Sequence, residues 1–99
     1  MTLVRWTEQA ADDLAAIRDF LARGSPAYAH VIVDRLYTSV GHLRTFPDLG
    51  HPVPERTDPD LRELIRRGYR IVYRRTTAKE LVEILTIFHS SLPLPESIR

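Results

Sequence analysis

Two apolar stripes on the helical period, set close together in the first half of the chain, constrain its fold more than any other feature. Ala10, Leu14, Ile17 and Leu21 recur at steps of four, three and four, with Asp12, Asp13, Arg18 and Asp19 mostly on the other side. Ala29, Val33, Leu36, Val40 and Leu43 keep the same spacing. Thr7 is placed to cap the first helix and Glu8 to favour its dipole. Gly24 is expected to close it in the C′ position, and Ser25-Pro26 to open the second with a cap and a first-turn proline. Pro47 stops that second helix, so the two run to about 16 and 21 residues. So short a connection makes them antiparallel, a helical hairpin.

The remainder reads as strands. Residues 3–6 form a first short strand. Residues 61–65, 69–75 and 81–88 form three more, joined by turns near Arg67-Gly68 and at residues 76–79. The last is apolar on both faces, as a two-sided inner strand would be. Between Pro47 and Asp60 lie four prolines and Gly50 with neither period, a long loop of the kind that often carries function. The order β-α-α-β-β-β predicts an α+β fold, a helical hairpin on one face of a small, mostly antiparallel sheet. At 99 residues the chain reads as one domain over residues 1–99, with residues 90–99 a flexible or partner-contacting tail.

Composition removes several chemistries. There is no cysteine, which excludes disulfides, thiol catalysis and thiolate metal sites. The four histidines are scattered, so no metal is expected, and no Gly-rich loop cradles a nucleotide phosphate. No cofactor is expected. Neither a secretory apolar region nor a membrane-length run is present, and the expected location is the cytoplasm. Net charge is only +1, yet residues 61–75 hold six arginines against Glu63. Such a local patch suits an anionic partner, or it blunts sheet edges.

The candidate chemical residues are Arg62, Arg70 and His89. Neighbouring strands lie under about 5 Å apart, so Arg62 and Arg70 would share a face if the register permits. Two guanidiniums and an imidazole suit a phosphodiester, one gripping oxygens and the other moving a proton. Each also has a plain structural alternative. Arg70 would pair with Glu63 across the hairpin, Arg62 would be a surface charge, and His89 would cap a strand end. Tyr69 and Tyr73 fit core packing better than base stacking, and Trp6 fits an anchor for the hairpin.

These segments together resemble the RelE/ParE superfamily of type II toxins. The pieces are Trp6-Thr7-Glu8 with Ala11-Asp12-Asp13-Leu14, Ile17 and Phe20, then Phe46-Pro47 with Gly50, then Leu61-Arg62-Glu63-Leu64. Tyr69-Arg70-Ile71-Val72-Tyr73-Arg74 and Ile84 with Ile87-Phe88-His89 complete the set. The resemblance implies a growth-inhibiting toxin neutralised by a cognate antitoxin, whose flexible segment docks along the hairpin or the sheet. It leaves two targets open. RelE-like members cleave ribosome-bound mRNA by attack of a 2′-hydroxyl on the adjacent phosphate. Carried over, their roles fall on Glu55 as base, Arg70 as phosphate clamp with Arg62 assisting, and His89 as acid. ParE-like members bind and inhibit DNA gyrase and need no catalytic set. A non-toxic relative is the third possibility.

Overall fold

The structure, a computed structural model, describes residues 1–98. Strand β1 (Leu3–Trp6) leads into helix α1 (Glu8–Ala22), which Thr7 caps by accepting from the Ala10 amide. Helix α2 (Pro26–Gly41) is capped by Ser25 through the Tyr28 amide, with proline in the first turn. Strands β2 (His51–Pro52), β3 (Leu61–Arg66), β4 (Tyr69–Thr76) and β5 (Leu81–His89) complete the order.

Gly24 takes the C′ position after the Arg23 cap, as expected, though without the left-handed conformation; the Gly24 and Ser25 amides both donate to the Leu21 carbonyl. Two local expectations are corrected. Helix α2 has 16 residues, not 21, because the chain tightens into a 3-10 turn over His42–Arg44 before reaching Pro47. The proline-rich segment contributes a strand, β2, which periodicity cannot register in two residues.

The five strands lie in the order β1-β5-β4-β3-β2, antiparallel except for β1 beside β5. Both residues of the β3–β4 turn, Arg67 and Gly68, have positive φ, the geometry that matches strand twist in two-residue hairpins. Arg66 therefore faces Tyr69, and each step outward preserves that pairing. Leu64, Ile71, Tyr73, Ile84 and Ile87 bury themselves against Ala10, Ile32, Leu36 and Val40 of the helices. Ala10, Leu36, Val40 and Leu43 of the stripes read in the sequence thus meet the sheet, joined by Ile32, while Val33 does not reach that core. Trp6 stacks on Tyr37 with ring centres 5.9 Å apart and anchors the hairpin's edge. The sheet's other face carries a smaller cluster, Val53, Leu61 and Val72 with Leu94 and Ile98. The tail from Ser90 thus lies packed through residue 98.

Helix α1 is also bonded to the sheet through Asp13. The β4–β5 ladder shifts register between Val72 and Tyr73, leaving Leu85 unopposed, and such a bulge leaves ladder groups without a strand partner. Strand β1 ends opposite Ile84, and beyond that point Asp13 accepts from the Ile87 amide at 3.1 Å and the Thr86 hydroxyl at 2.5 Å. Among the described residues no helix is long and apolar enough to cross a membrane.

Candidate functional site

Because side chains alternate along a strand, the β3–β4 register decides what the four candidate residues can do together. Arg62 faces Tyr73, whereas Arg70 faces Ile65. The first belongs to the helix-side row of Leu64 and Ile71, the second to the outer row of Leu61, Glu63 and Val72. The two arginines therefore occupy opposite faces, which corrects the expectation of a shared one.

On the outer face Arg70 is enclosed. Its Nε donates to Glu63 Oε1 at 2.7 Å, while Nη1 and Nη2 donate to the two Glu55 oxygens at 2.9 and 2.6 Å. Nη2 also lies 2.6 Å from Glu63 Oε1, and Nη1 reaches the Leu92 carbonyl at 3.3 Å. The guanidinium carbon sits 4.9 Å from the centre of the Phe88 ring, and the residue is only 6% exposed. All three of its nitrogens are engaged. The two carboxylates, Glu55 first, hold Arg70 charged even more firmly than usual. Of its two alternatives, the pairing with Glu63 is the one found, extended by Glu55.

Glu55 is bound as tightly. Besides Arg70 it accepts from the Leu94 amide at 2.8 Å. The Arg70 hydrogen bonds are the main cause that lowers its pKa to about 2, against the opposing effect of burial. A carboxylate so acidic is a poor proton acceptor at neutral pH. What it does is fasten the tail, since Arg70 and Glu55 together hold the backbone of residues 92 and 94. Arg56 adds a bond to the Ile98 carbonyl at 3.0 Å.

A pH dependence follows with a definite sign. A carboxylate whose folded pKa is depressed stabilises the fold fully above its unfolded value and loses that contribution as pH falls through the folded one. For Glu55 the window runs from 4.5 down to about 2. Unfolding measured by urea titration is expected to grow easier across that window, and less steeply in Glu55→Gln. An unchanged slope in the variant would exclude Glu55 as the source.

Glu63 and His51 complete the cluster and went unassigned in the sequence reading except as a partner for Arg70. Glu63 is 2% exposed and its second oxygen accepts from His51 Nε2 at 2.8 Å. The signal was an acid between Leu61 and Ile65 in an alternating row that is otherwise apolar, since a buried carboxylate needs partners.

Arg62 and His89 lie elsewhere. Arg62 donates through Nε and Nη2 to the Gly50 carbonyl at 3.0 and 2.7 Å, tying down the loop before β2. It is thus tied to the loop and is not a free surface charge. His89 ends β5 opposite Tyr69, on the helix side, and its Nδ1 is 2.6 Å from the Ser91 hydroxyl. The rings of Tyr69 and His89 meet edge to face at 5.6 Å. Of the proposed acid, base and clamp, the structure unites only Glu55 and Arg70, and as an ion pair. Among the described residues no histidine and carboxylate group is arranged to hold a metal.

A third feature is an apolar groove along the outside of the hairpin, lined by Trp6, Leu14, Val33 and Tyr37 with Arg18 at its rim.

Comparison with known proteins agrees with this architecture. The family model described as ParE toxin of type II toxin–antitoxin system, parDE, matches residues 4–92. Toxin RelE2 of Caulobacter vibrioides is 34% identical over 91 residues, covering 92% of this chain and 98% of the relative. Among solved structures, the chromosomal ParDE system from P. aeruginosa superposes with a TM-score of 0.73 at 26% identity, over 90% of this chain and 96% of the other. The RelBE2 toxin–antitoxin complex from Mycobacterium tuberculosis gives 0.62 at 26% identity, over 89% and 96%.

Proposed function

This chain belongs to the ParE toxin family of type II toxin–antitoxin systems, and from that premise we propose that it arrests its target by binding, with DNA gyrase as that target, and does not cleave RNA. The observation that carries the reading is the closed Arg70 cluster. Phosphodiester cleavage by 2′-hydroxyl attack needs a base, a cation on the phosphate and an acid around one reacting centre. In this chain the cation is saturated by Glu55 and Glu63, the base is spent on it, and the imidazole belongs to the other face. Extracting Arg70 for a substrate would strand a buried Glu63 beside a second carboxylate, a cost of several kcal/mol. A binding inhibitor needs no such release.

An antitoxin is the partner that family membership supplies, and the similar ParDE and RelBE2 structures support it. The groove lined by Trp6, Leu14, Val33 and Tyr37 is the surface that suits its apolar face. Such a module works in the cytoplasm, where its target is.

Two assays on the purified toxin test the reading. Gyrase supercoiling of relaxed plasmid is expected to fall in a dose-dependent way, while ribosome-bound mRNA in cell-free translation stays intact. His89→Ala, a change at an exposed residue, is expected to leave the melting temperature unchanged, because surface substitutions of this kind seldom disturb a fold. Discrete mRNA fragments that vanish with His89→Ala would overturn the proposal in favour of the nuclease.

A further inference from the structure

One end of the molecule, from the hairpin bend to the start of β4 and the end of β5, presents aromatic rings beside guanidiniums that have no acidic partner. Phe20 in the last turn of α1 and Tyr28 in the first turn of α2 are 65% and 55% exposed, and adjacent exposed rings mark interaction surfaces. Phe20 borders two shallow depressions at once. One continues to Tyr69 and His89, the other to Tyr28 and Arg23. Four rings thereby form one continuous strip from the hairpin bend to the ends of β4 and β5.

The cations lie along the same strip. The Arg23 guanidinium is 5.9 Å from the centre of the Phe20 ring. Arg66 stands opposite Tyr69 in the ladder, and Arg67 follows in the turn. The turn reaches His89, because a Cβ on Gly68 would lie 4.0 Å from its Nε2. Among the described residues none of these three arginines makes an ion pair, and Arg66 donates only to its neighbour's carbonyl. The chain does match Arg5, Arg18, Arg70, Arg74 and Arg75 with carboxylates. Among the described residues Arg35, Arg44, Arg56, Arg62 and Lys79 also lack a carboxylate, but Arg23 and Arg66 lie against the rings of this strip.

We propose that this strip binds single-stranded DNA, with bases stacked on Phe20, Tyr28 and Tyr69 and phosphates held by Arg23, Arg66 and Arg67. A single strand offers flat π-faces and anionic groups in alternation, which is the pattern presented here. An acidic peptide would satisfy the guanidiniums and leave the exposed ring faces unmatched. Recognition is by stacking and charge, so no sequence preference and no cleavage are expected. The choice of DNA over RNA rests on the gyrase reading above, whose substrate is DNA; the strip's capacity for an unpaired strand does not.

Fluorescence anisotropy with a labelled thymidine strand of about 12 nucleotides tests this on the full chain without gyrase, so its result is separate from that of the supercoiling assay. Binding is expected to weaken steeply with salt. Phe20→Ala and Tyr28→Ala are each expected to weaken it roughly five- to hundredfold, with unchanged melting temperature. Arg23→Gln with Arg66→Gln should flatten the salt dependence. Lys79→Ala, in the distant β4–β5 turn, should change nothing. Equal affinity for the Phe20→Ala, Tyr28→Ala double variant, or equal affinity for duplex DNA whose bases are hidden, would overturn the proposal. So would a polyglutamate peptide binding as tightly as the strand. Tenfold tighter binding of a uridine strand would overturn the DNA assignment even if supercoiling is inhibited.

Discussion

Arg70→Met is expected to destabilise the protein by about 3–5 kcal/mol, the usual cost of removing one partner from a buried ion pair. The loss leaves Glu63, 2% exposed, facing a second carboxylate with only His51 for company. It also frees the Leu92 carbonyl and weakens the hold on residue 94 through Glu55. A domain of this size has about 5–15 kcal/mol in all, so the variant should melt roughly 12 °C or more below the parent. The double variant Glu63→Leu, Arg70→Met is expected to regain most of that, because apolar groups of similar volume can replace a buried pair at little or no cost. Urea titration of the parent, single and double variants measures all three. A single variant within about 1 kcal/mol of the parent would mean that Arg70 is held loosely. It would then be available to a phosphate after all, and the argument against the nuclease would fail with it.

The same residue shows how far the sequence could be read. The hairpin of helices was legible because burial imposes a period of 3.6 on both stripes, and Thr7 and Ser25 sit where caps must sit. The resemblance to RelE/ParE toxins rested on whole segments and agrees with the family match. The opposite faces that Arg62 and Arg70 occupy are legible too. Once Arg67-Gly68 is a two-residue turn, Arg66 opposes Tyr69, and two even-numbered positions on the two strands cannot share a side. What remained hidden was the pairing of Glu55 with Arg70. The two lie 15 residues apart across a segment without periodicity, and only the tertiary path of the loop brings them together. The tail was hidden for a similar reason: Leu94 and Ile98 are isolated apolar residues among prolines, and only the cluster of Val53, Leu61 and Val72 gives them a place to bury.

The loop that carries Glu55 is set by the residues before it, and Gly50→Ala is expected to disturb it severely. A Cβ on Gly50 would lie 2.5 Å from the Glu63 carbonyl oxygen and 2.9 Å from Tyr73 Cε1. Neither can yield: one belongs to the backbone of β3, the other to a fully buried ring. The Gly50 amide donates to the Tyr73 hydroxyl at 3.0 Å, and that hydroxyl donates onward to the Pro47 carbonyl at 2.8 Å. Its carbonyl receives the Arg62 guanidinium. Lifting β2 away from β3 to make room therefore breaks a chain of buried bonds and separates His51 from Glu63. Overpacking alone costs about 1–3 kcal/mol, and each buried polar group left unpaired adds about 1–3 kcal/mol, so a total of roughly 3 kcal/mol or more is expected. Gly24→Ala, whose Cβ would meet only the Leu21 carbonyl at 3.8 Å, should stay within about 0.5 kcal/mol of the parent. Denaturant midpoints for the two variants, with amide exchange at residues 51–53 as the local probe, separate a displaced β2 from general loss of stability. Equal midpoints would show that β2 can move off the sheet freely, and the path that delivers Glu55 to Arg70 would need another cause.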